Sequence, residues 1–178
     1  MKIKIFQIHL LLASFVMPAV LLISISGGLY LFGFKGNSNE TEIKVSNQFV
    51  LDIKSQQLEE DVEKLLRQLG IETEFEYLKI KGTTITTRPT SRSHLKIIVS
   101  KDDMKIWKVQ PSFQKTLIEL HKGHGPLLFK VYQKLVAISL IVILLSGLWM
   151  GLSNKRMRTN TLLAIFIGTA TFFLLALA

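Results

Sequence analysis

The chain has 178 residues, of which 48% are hydrophobic, and its formal net charge at neutral pH is +9. This hydrophobic content excludes a disordered chain and is unusual for a soluble domain of this length. The absence of cysteine excludes disulfides, thiolate metal sites, cysteine nucleophiles and a lipoprotein anchor.

The charges are concentrated in the middle of the chain. All thirteen acidic residues lie between Glu40 and Glu119, and fifteen of the twenty-two lysines and arginines lie between Lys35 and Lys122. This segment is nearly balanced in charge, which is typical of a solvated domain. Because the excess positive charge comes mostly from residues that flank apolar runs, we expect no nucleic-acid partner.

Three segments lack Asp, Glu, Lys and Arg: residues 5–34, 135–154 and 160–178. A helix needs about 20 residues to cross a hydrocarbon core about 30 Å thick. We therefore predict membrane-spanning helices at about residues 8–33, 129–153 and 160–177, the last barely long enough. The first segment could be a cleaved signal peptide, but it is too long and no small-x-small cleavage site follows Gly28, so we expect a retained anchor.

The orientation is predicted from the positive-inside rule. Two lysines precede the first apolar segment, and Lys155, Arg156 and Arg158 lie in the short connection between the second and third. Both places should be cytoplasmic. Residues from about 35 to 125 then lie outside, as expected for a multi-pass protein of a bacterial inner (cytoplasmic) membrane whose amino terminus is cytoplasmic and whose main domain is periplasmic or extracytoplasmic.

The domain begins after residues 33–39, whose Gly, Asn and Ser content predicts a linker. Alternating apolar residues then predict strands: Ile43, Val45, Phe49, Leu51 and Ile53. An amphipathic helix of about four turns is predicted from Ser55, a suitable N-cap, to Gly70, a residue typical after a helix end. Its apolar face comprises Leu58, Val62, Leu65, Leu66 and Leu69.

Four β-rich segments follow and predict an antiparallel meander: residues 75–81, 83–88, 95–100 and 104–109. One helix packed on this sheet makes an α+β fold. We expect the helix to bury Val62, Leu65, Leu66 and Leu69 against a sheet that includes Tyr77, Ile85, Ile97 and Trp107 on one or other face.

A second helix is predicted over residues 112–124, with Phe113, Leu117 and Leu120 on one side. Glycines and a proline interrupt it. The pattern from Leu127 predicts an amphipathic approach to the membrane, with Lys130 and Lys134 extending to the outer surface.

No hydrolase, phosphate-binding or dinucleotide-binding motif is present, so we expect no catalytic activity from the chain alone. The informative residues are histidines. His94 lies in a polar segment and should be exposed. His9 enters an apolar span, where an imidazole must be paired, bind a ligand or lie among lipid head groups. His121 and His124 share a helical face if the helix continues through Gly123, and they could bind a metal or haem or merely cap a helix turn.

Two pairs of segments carry a resemblance to the PepSY-associated transmembrane (PepSY-TM) family. Residues 7–10 (QIHL) with 26–30 (SGGLY) are similar to that family's opening helix, in which a histidine near the start precedes a small-Gly-Leu ending. Residues 120–123 (LHKG) with 146–149 (SGLW) are similar to its later element and the helix that follows. The order of the helix and strands between them resembles a PepSY domain. The resemblance covers nearly the whole chain.

The resemblance implies an α+β membrane protein in which a PepSY-like extracytoplasmic domain joins three transmembrane helices. Its parts are an N-terminal transmembrane helix (1–34), the PepSY-like domain (35–111), a juxtamembrane helix (112–128) and two transmembrane helices (129–178).

Larger members of the family include ferric-siderophore reductases of iron uptake, which transfer electrons through b-type haems held by pairs of histidines. The resemblance therefore implies haem b as a cofactor, with His9 and His121 as ligands. His124 is the next candidate because of its position beside His121, not because of the resemblance. The predicted topology separates His9 from His121 by about 30 Å of bilayer, so they cannot bind one iron. A bis-histidine haem would need its opposite ligand from a second copy or another membrane protein.

The first functional hypothesis is an accessory membrane protein that acts with a larger membrane or periplasmic partner. One alternative is a b-type haem electron-transfer subunit related to the ferric-siderophore reductases. Another is a peptidase-inhibitory or binding module, because PepSY domains are associated with peptidase propeptides. The expected partners are the lipid bilayer together with another membrane or periplasmic protein or a second copy of the chain.

Overall fold

The computed structural model describes residues 2–45, 51–71, 74–100 and 103–178. In these ranges the helices are α1 (Lys2–Leu31), α2 (Leu58–Gln68), α3 (Phe113–His121), α4 (Leu127–Ser153) and α5 (Arg158–Leu177). The strands are β1 (Ser38–Ile43), β2 (Tyr77–Lys81), β3 (Thr84–Arg88), β4 (His94–Val99) and β5 (Met104–Pro111).

Three helices are long and apolar enough to cross a membrane. They are α1, α4 and α5, whose mean hydropathy is 2.4, 2.5 and 2.0. The shortest, α5, has 20 residues, which corresponds to a length of about 30 Å. Each of the three predicted spans is therefore found as one continuous apolar helix.

The five strands form one antiparallel sheet in the order β1-β5-β4-β3-β2. Helix α2 covers one face because its apolar residues recur at helical spacing. The core comprises Leu51, Leu58, Val62, Leu65, Leu66, Ile85, Leu95, Ile97 and Ile106. This confirms the α+β fold class. Because Leu66 belongs to this core, Leu66→Ala should lower the free energy of unfolding by about 2 to 5 kcal/mol.

One detail of the predicted core differs. Leu69 is only partly buried because it is the C-cap residue of α2. Of the sheet residues named in the prediction, Ile85 and Ile97 are fully buried, whereas Tyr77 and Trp107 are only partly buried. Side chains alternate along a strand, and Ile106 belongs to the core, so Trp107 lies on the face opposite α2.

The prediction of a linker over residues 33–39 is wrong at its end, because β1 begins at Ser38 and pairs with β5 from Ser38↔Pro111 to Ile43↔Ile106. Leu51 and Ile53, predicted to be in a strand, lie in irregular chain before α2, and Phe49 lies outside the described residues.

His94 and α3 also depart from prediction. His94 is the first residue of β4, pairs with Val109 and is half-buried, so it is not in an exposed loop. On α3, Phe113 is 77% exposed, whereas Ile118 and Glu119 are buried. The apolar side predicted for this helix is therefore wrong at Phe113.

The chain joins and leaves the sheet at adjacent points. The N–H of Ser112 donates to the carbonyl of Asn37 at 2.9 Å, and the N–H of Asn37 donates to the Ser112 hydroxyl at 3.3 Å. The side chain of Gln114 donates to the carbonyl of Phe34 at 2.9 Å. We call these contacts the neck of the domain.

The chain forms two compact units. One unit comprises the segment up to Val20 together with residues 134–178, and the other comprises residues 21–133. Helices α1 and α4 each contribute to both units. In the first unit, Val16 of α1 and Val136 of α4 are each only 2% exposed.

Candidate functional site

In the unit of residues 21–133, His121 is held by a hydrogen bond to Ser26. The distance from His121 Nδ1 to Ser26 Oγ is 3.2 Å. The Ser26 hydroxyl already donates to the carbonyl of Ile23 at 2.9 Å. Because a hydroxyl has only one hydrogen, His121 must donate its Nδ1 proton to Ser26. The neutral imidazole then has its free lone pair on Nε2.

The His121 ring also contacts the backbone of Gly27. A Cβ atom at residue 27 would lie 2.9 Å from Cε1 of His121, so a side chain there would displace the ring. The side chain of His121 is exposed, and its Nε2 makes no hydrogen bond to any residue that the structure describes. The ring is therefore fixed at one nitrogen and accessible at the other.

In the other unit, His9 has the same arrangement. His9 Nδ1 lies 2.8 Å from Ser146 Oγ, and the Ser146 hydroxyl donates to the carbonyl of Ile143 at 3.0 Å. A Cβ atom at Gly147 would lie 3.4 Å from Cε1 of His9. His9 therefore also donates from Nδ1. This pairing within the protein offsets the cost of an imidazole in an apolar span.

Each histidine is thus hydrogen-bonded to a serine that is followed by a glycine. The pair is Ser26-Gly27 for His121 and Ser146-Gly147 for His9. Metal-bound histidines typically donate their second ring N–H to a neighbouring acceptor, which fixes the tautomer and orients the ring. Both sites provide that arrangement. Each supplies one nitrogen, however, and within the described ranges no group of three His, Cys, Asp or Glu residues could hold a metal ion. The residues present fit one axial ligand of a bis-histidine haem, not two.

His124 does not belong to either arrangement. Helix α3 ends in a Schellman motif, in which Gly123 has φ +75°, its N–H donates to Leu120 O at 3.0 Å and the N–H of His124 donates to Glu119 O at 2.9 Å. The helix does not continue through Gly123, so the condition under which His121 and His124 would share a helical face is not met. The turn instead places His124 Nδ1 at 2.7 Å from Glu119 Oε2.

Glu119 is the centre of a polar cluster that the sequence analysis did not predict. This carboxylate is 8% exposed, accepts a hydrogen bond from the Thr90 hydroxyl at 2.8 Å and lies 3.4 Å from Lys115 Nζ and 3.8 Å from Lys122 Nζ. The buried Arg88 donates through Nη1 to Thr90 at 2.8 Å. The cluster therefore joins α3 to the loop between β3 and β4.

The pKa of Glu119 reflects these contacts. Burial alone would raise the pKa, but the hydrogen bonds from His124 and Thr90 and the charges of His124 and Lys115 outweigh it and lower the pKa from 4.5 to about 2. The carboxylate is therefore charged at neutral pH. For His94, burial lowers the pKa, and the largest opposing effect is the hydrogen bond to the carbonyl of Arg92.

Two more contacts connect the sheet to the start of α4. Glu76 accepts a hydrogen bond from the N–H of Leu127 at 2.9 Å. Lys130 donates to the hydroxyl of Tyr77 at 2.7 Å and lies 4.5 Å from the centre of the same ring. The hydroxyl and the ring of Tyr77 on β2 therefore both bind the Lys130 side chain.

Comparison with known proteins gives one match. The model of the family described as PepSY_TM-like matches residues 4–178. No curated protein and no solved structure matches the chain. The match extends over both compact units and includes both histidine sites, so the chain belongs to the PepSY_TM-like family.

Proposed function

We propose that this protein is an accessory membrane protein that presents Nε2 of His121 to a second molecule. The observation that supports this proposal is the geometry of His121: Nδ1 is bound to Ser26, the ring contacts Gly27, and the side chain is exposed. Fixing one nitrogen lowers the entropy lost when the other binds, because the ring is already oriented.

The proposed topology places the amino terminus in the cytoplasm of a bacterial cell and the sheet domain outside it. It rests on the two lysines in the first turn of α1 and on Lys155, Arg156 and Arg158 where α4 is connected to α5. Because the chain has no cysteine, Lys155→Cys and Lys105→Cys can each be labelled singly in intact cells. A membrane-impermeant maleimide should label position 105 only, and labelling of position 155 from outside would overturn this topology.

A photo-crosslinking experiment tests the accessory role. Benzoylphenylalanine replaces Phe113, which is 77% exposed on the helix that carries His121, or Phe166, which is 72% exposed on α5. We expect position 113 to give a discrete protein adduct whose yield falls about tenfold in His121→Ala. The adducts of position 166 should not respond to His121→Ala. No protein adduct at position 113, or a yield that His121→Ala leaves unchanged, would contradict the proposal.

A second candidate function is electron transfer through haem b. The fixed tautomer supports it, because the Nε2 lone pair of His121 or His9 is the donor that a haem iron requires. The opposite ligand would come from a second copy of the chain or from another membrane protein. His124 is a weaker candidate, since its Nδ1 already donates to the carboxylate of Glu119.

Titration of the purified protein with hemin tests this candidate. If haem binds, the reduced protein should show a sharp visible α-band, and the haem-loaded form should be at least a dimer. His121→Ala should abolish the band while the circular dichroism spectrum stays unchanged, and the matched variant His94→Ala should retain it. A colourless monomer after addition of hemin would exclude haem and leave the accessory role in place.

A further inference from the structure

Strand β2 is an edge of the sheet, and its free side has unpaired backbone groups. It joins β3 through a two-residue turn, in which Gly82 has φ +59°. In such a hairpin Lys81 and Thr84 form a hydrogen-bonded pair, and hydrogen-bonded and non-hydrogen-bonded pairs alternate along the strands. The N–H and C=O groups of Leu78 and Ile80 therefore point away from the sheet.

One contact supports this assignment of the edge. The N–H of Leu78 donates to Oε1 of Glu59, at the start of α2, over 3.3 Å. Ile80 makes no hydrogen bond on the free side to any described residue, and neither does the carbonyl of Leu78. An added strand could therefore form hydrogen bonds with one free donor, the N–H of Ile80, and with two free acceptors, the carbonyls of Leu78 and Ile80.

The side chains of Leu78 and Ile80 point to the α2 side of the sheet, because Ile80 pairs with the fully buried Ile85. Ile80 is nevertheless 46% exposed. It lies in a groove of about 330 Å³ between β2 and the start of α2, whose lining includes Ser55, Gln56, Leu58, Glu60 and Leu78. Every second side chain of an added strand would enter this groove.

The opposite face of the same edge is basic. Lys79 and Lys81 alternate with Leu78 and Ile80 and are exposed. Neither lysine forms a salt bridge within the described part of the chain. Opposite charges on adjacent strands stabilise the pairing, so acidic side chains on that face of an added strand complement these lysines.

We infer that β2 binds an extended segment of a partner protein as a sixth strand of the sheet. The segment alternates apolar side chains, which enter the groove beside Ile80, with acidic side chains, which face Lys79 and Lys81. Main-chain hydrogen bonds supply affinity, and the alternation supplies specificity. This binding does not involve His121, so the tests of the two proposals fail independently.

The test uses the full chain in detergent micelles and a fluorescein-labelled peptide of alternating valine and glutamate. Fluorescence anisotropy compares it with a peptide of alternating valine and lysine and with a peptide that has the same valines and glutamates in two blocks. We expect the alternating acidic peptide to bind at least about tenfold more tightly than either control. Equal affinities, or no binding, would overturn the inference.

Two variants locate the binding on β2. Ile80→Pro removes the outward N–H but no hydrogen bond to β3, and proline is tolerated at such edge positions. Lys79→Glu combined with Lys81→Glu reverses the charge. Ile80→Pro should weaken binding of the acidic peptide about tenfold, and the double variant should reverse the preference between the alternating peptides. The control Lys105→Glu, which changes an exposed lysine of β5, should leave the affinity unchanged.

Hydrogen exchange of the unmodified protein gives a result that does not depend on the folding of a variant. The peptide should slow exchange at the amide of Ile80, because that N–H would become hydrogen-bonded. The amide of Lys79 already faces β3 and should not change. Peptide binding without protection at Ile80 would place the peptide elsewhere and overturn the inference.

Discussion

The two histidine sites share their hydrogen bonds but differ in their surroundings. His9 is half-buried among apolar residues of α1 and α4, whereas His121 is exposed and lies two residues after the buried Glu119. A Cβ atom at the adjacent glycine would lie 3.4 Å from Cε1 of His9 but only 2.9 Å from Cε1 of His121. The serine determines the tautomer in both sites, while the surroundings determine access and how rigidly the ring is held.

Removal of Glu119 should give the largest difference in stability between the two units. In Glu119→Ala the buried Thr90 hydroxyl loses its acceptor, and Lys115, Lys122 and His124 lose the carboxylate that they contact, so the free energy of unfolding should fall by about 3 kcal/mol. Trp107 lies in the unit of residues 21–133 and Trp149 in the other, so single-tryptophan backgrounds report each unit. The loss should appear at Trp107 and not at Trp149.

The matched control is Glu63→Ala, whose carboxylate is exposed on α2 and 3.4 Å from Arg67. An exposed i,i+4 pair contributes only about 0.3 to 0.5 kcal/mol. If both glutamate variants had equal effects, the Glu119 cluster would be no more than a surface ion pair.

Acid should act on one unit only. The folded pKa of Glu119 is lowered from 4.5 to about 2, so its stabilisation is complete above pH 4.5 and is lost as the pH falls through about 2. All acidic side chains lie between Glu40 and Glu119, so the unit that holds His9 has none. Urea or thermal unfolding followed at Trp107 should show a loss of stability in this pH range, and Glu119→Gln should reduce that loss. A similar loss of stability at Trp149 would contradict the expected difference between the two units.

An added methyl group at each glycine tests how rigidly the rings are held. Gly27→Ala places a Cβ 2.9 Å from His121, so the ring must move, at a cost of about 1 to 3 kcal/mol. Gly147→Ala requires at most a small shift of His9, because its Cβ would lie 3.4 Å away. NMR of ¹⁵N-labelled histidine should show that His121 loses its Nδ1–H tautomer in the first variant and that His9 keeps it in the second.

The smallest effect is expected from the serines. Ser26→Ala and Ser146→Ala each remove one hydrogen bond, worth about 1 kcal/mol. Water can replace the acceptor at the exposed His121 more readily than at the half-buried His9, so Ser146→Ala should cost more. Both variants should give mixed tautomers by the same NMR measurement, and unchanged spectra would show that the serines do not select the tautomer.

The sequence predicted the elements whose residues carry a strong local pattern. The three spans and α2 were identifiable because their apolar residues are continuous or recur at helical spacing. Strand β1 was not, since its sequence SNETEI is polar and mostly exposed. It forms a strand because β5 is available as a partner, which is a tertiary effect that local propensity does not contain.

The candidate site was predicted in part. His9 and His121 were singled out as ligand candidates, a role that stays a prediction. Glu119 was missed because a lone glutamate in an amphipathic helix is usually solvated and its partner Thr90 is 29 residues away. Gly123 was the available signal, since a glycine after α3 predicts a C-cap that turns His124 back toward Glu119.

The neck brings the two ends of the sheet segment next to each other. Asn37 and Ser112 are hydrogen-bonded neighbours, so the chain between them is an insertion whose two ends coincide in space. Such an insertion can be replaced by a tight turn or exchanged for a related domain without changing the separation of the flanking chain. Residues 38–111 therefore form a module that evolution or an engineer can vary while α1 and α3 keep their connection.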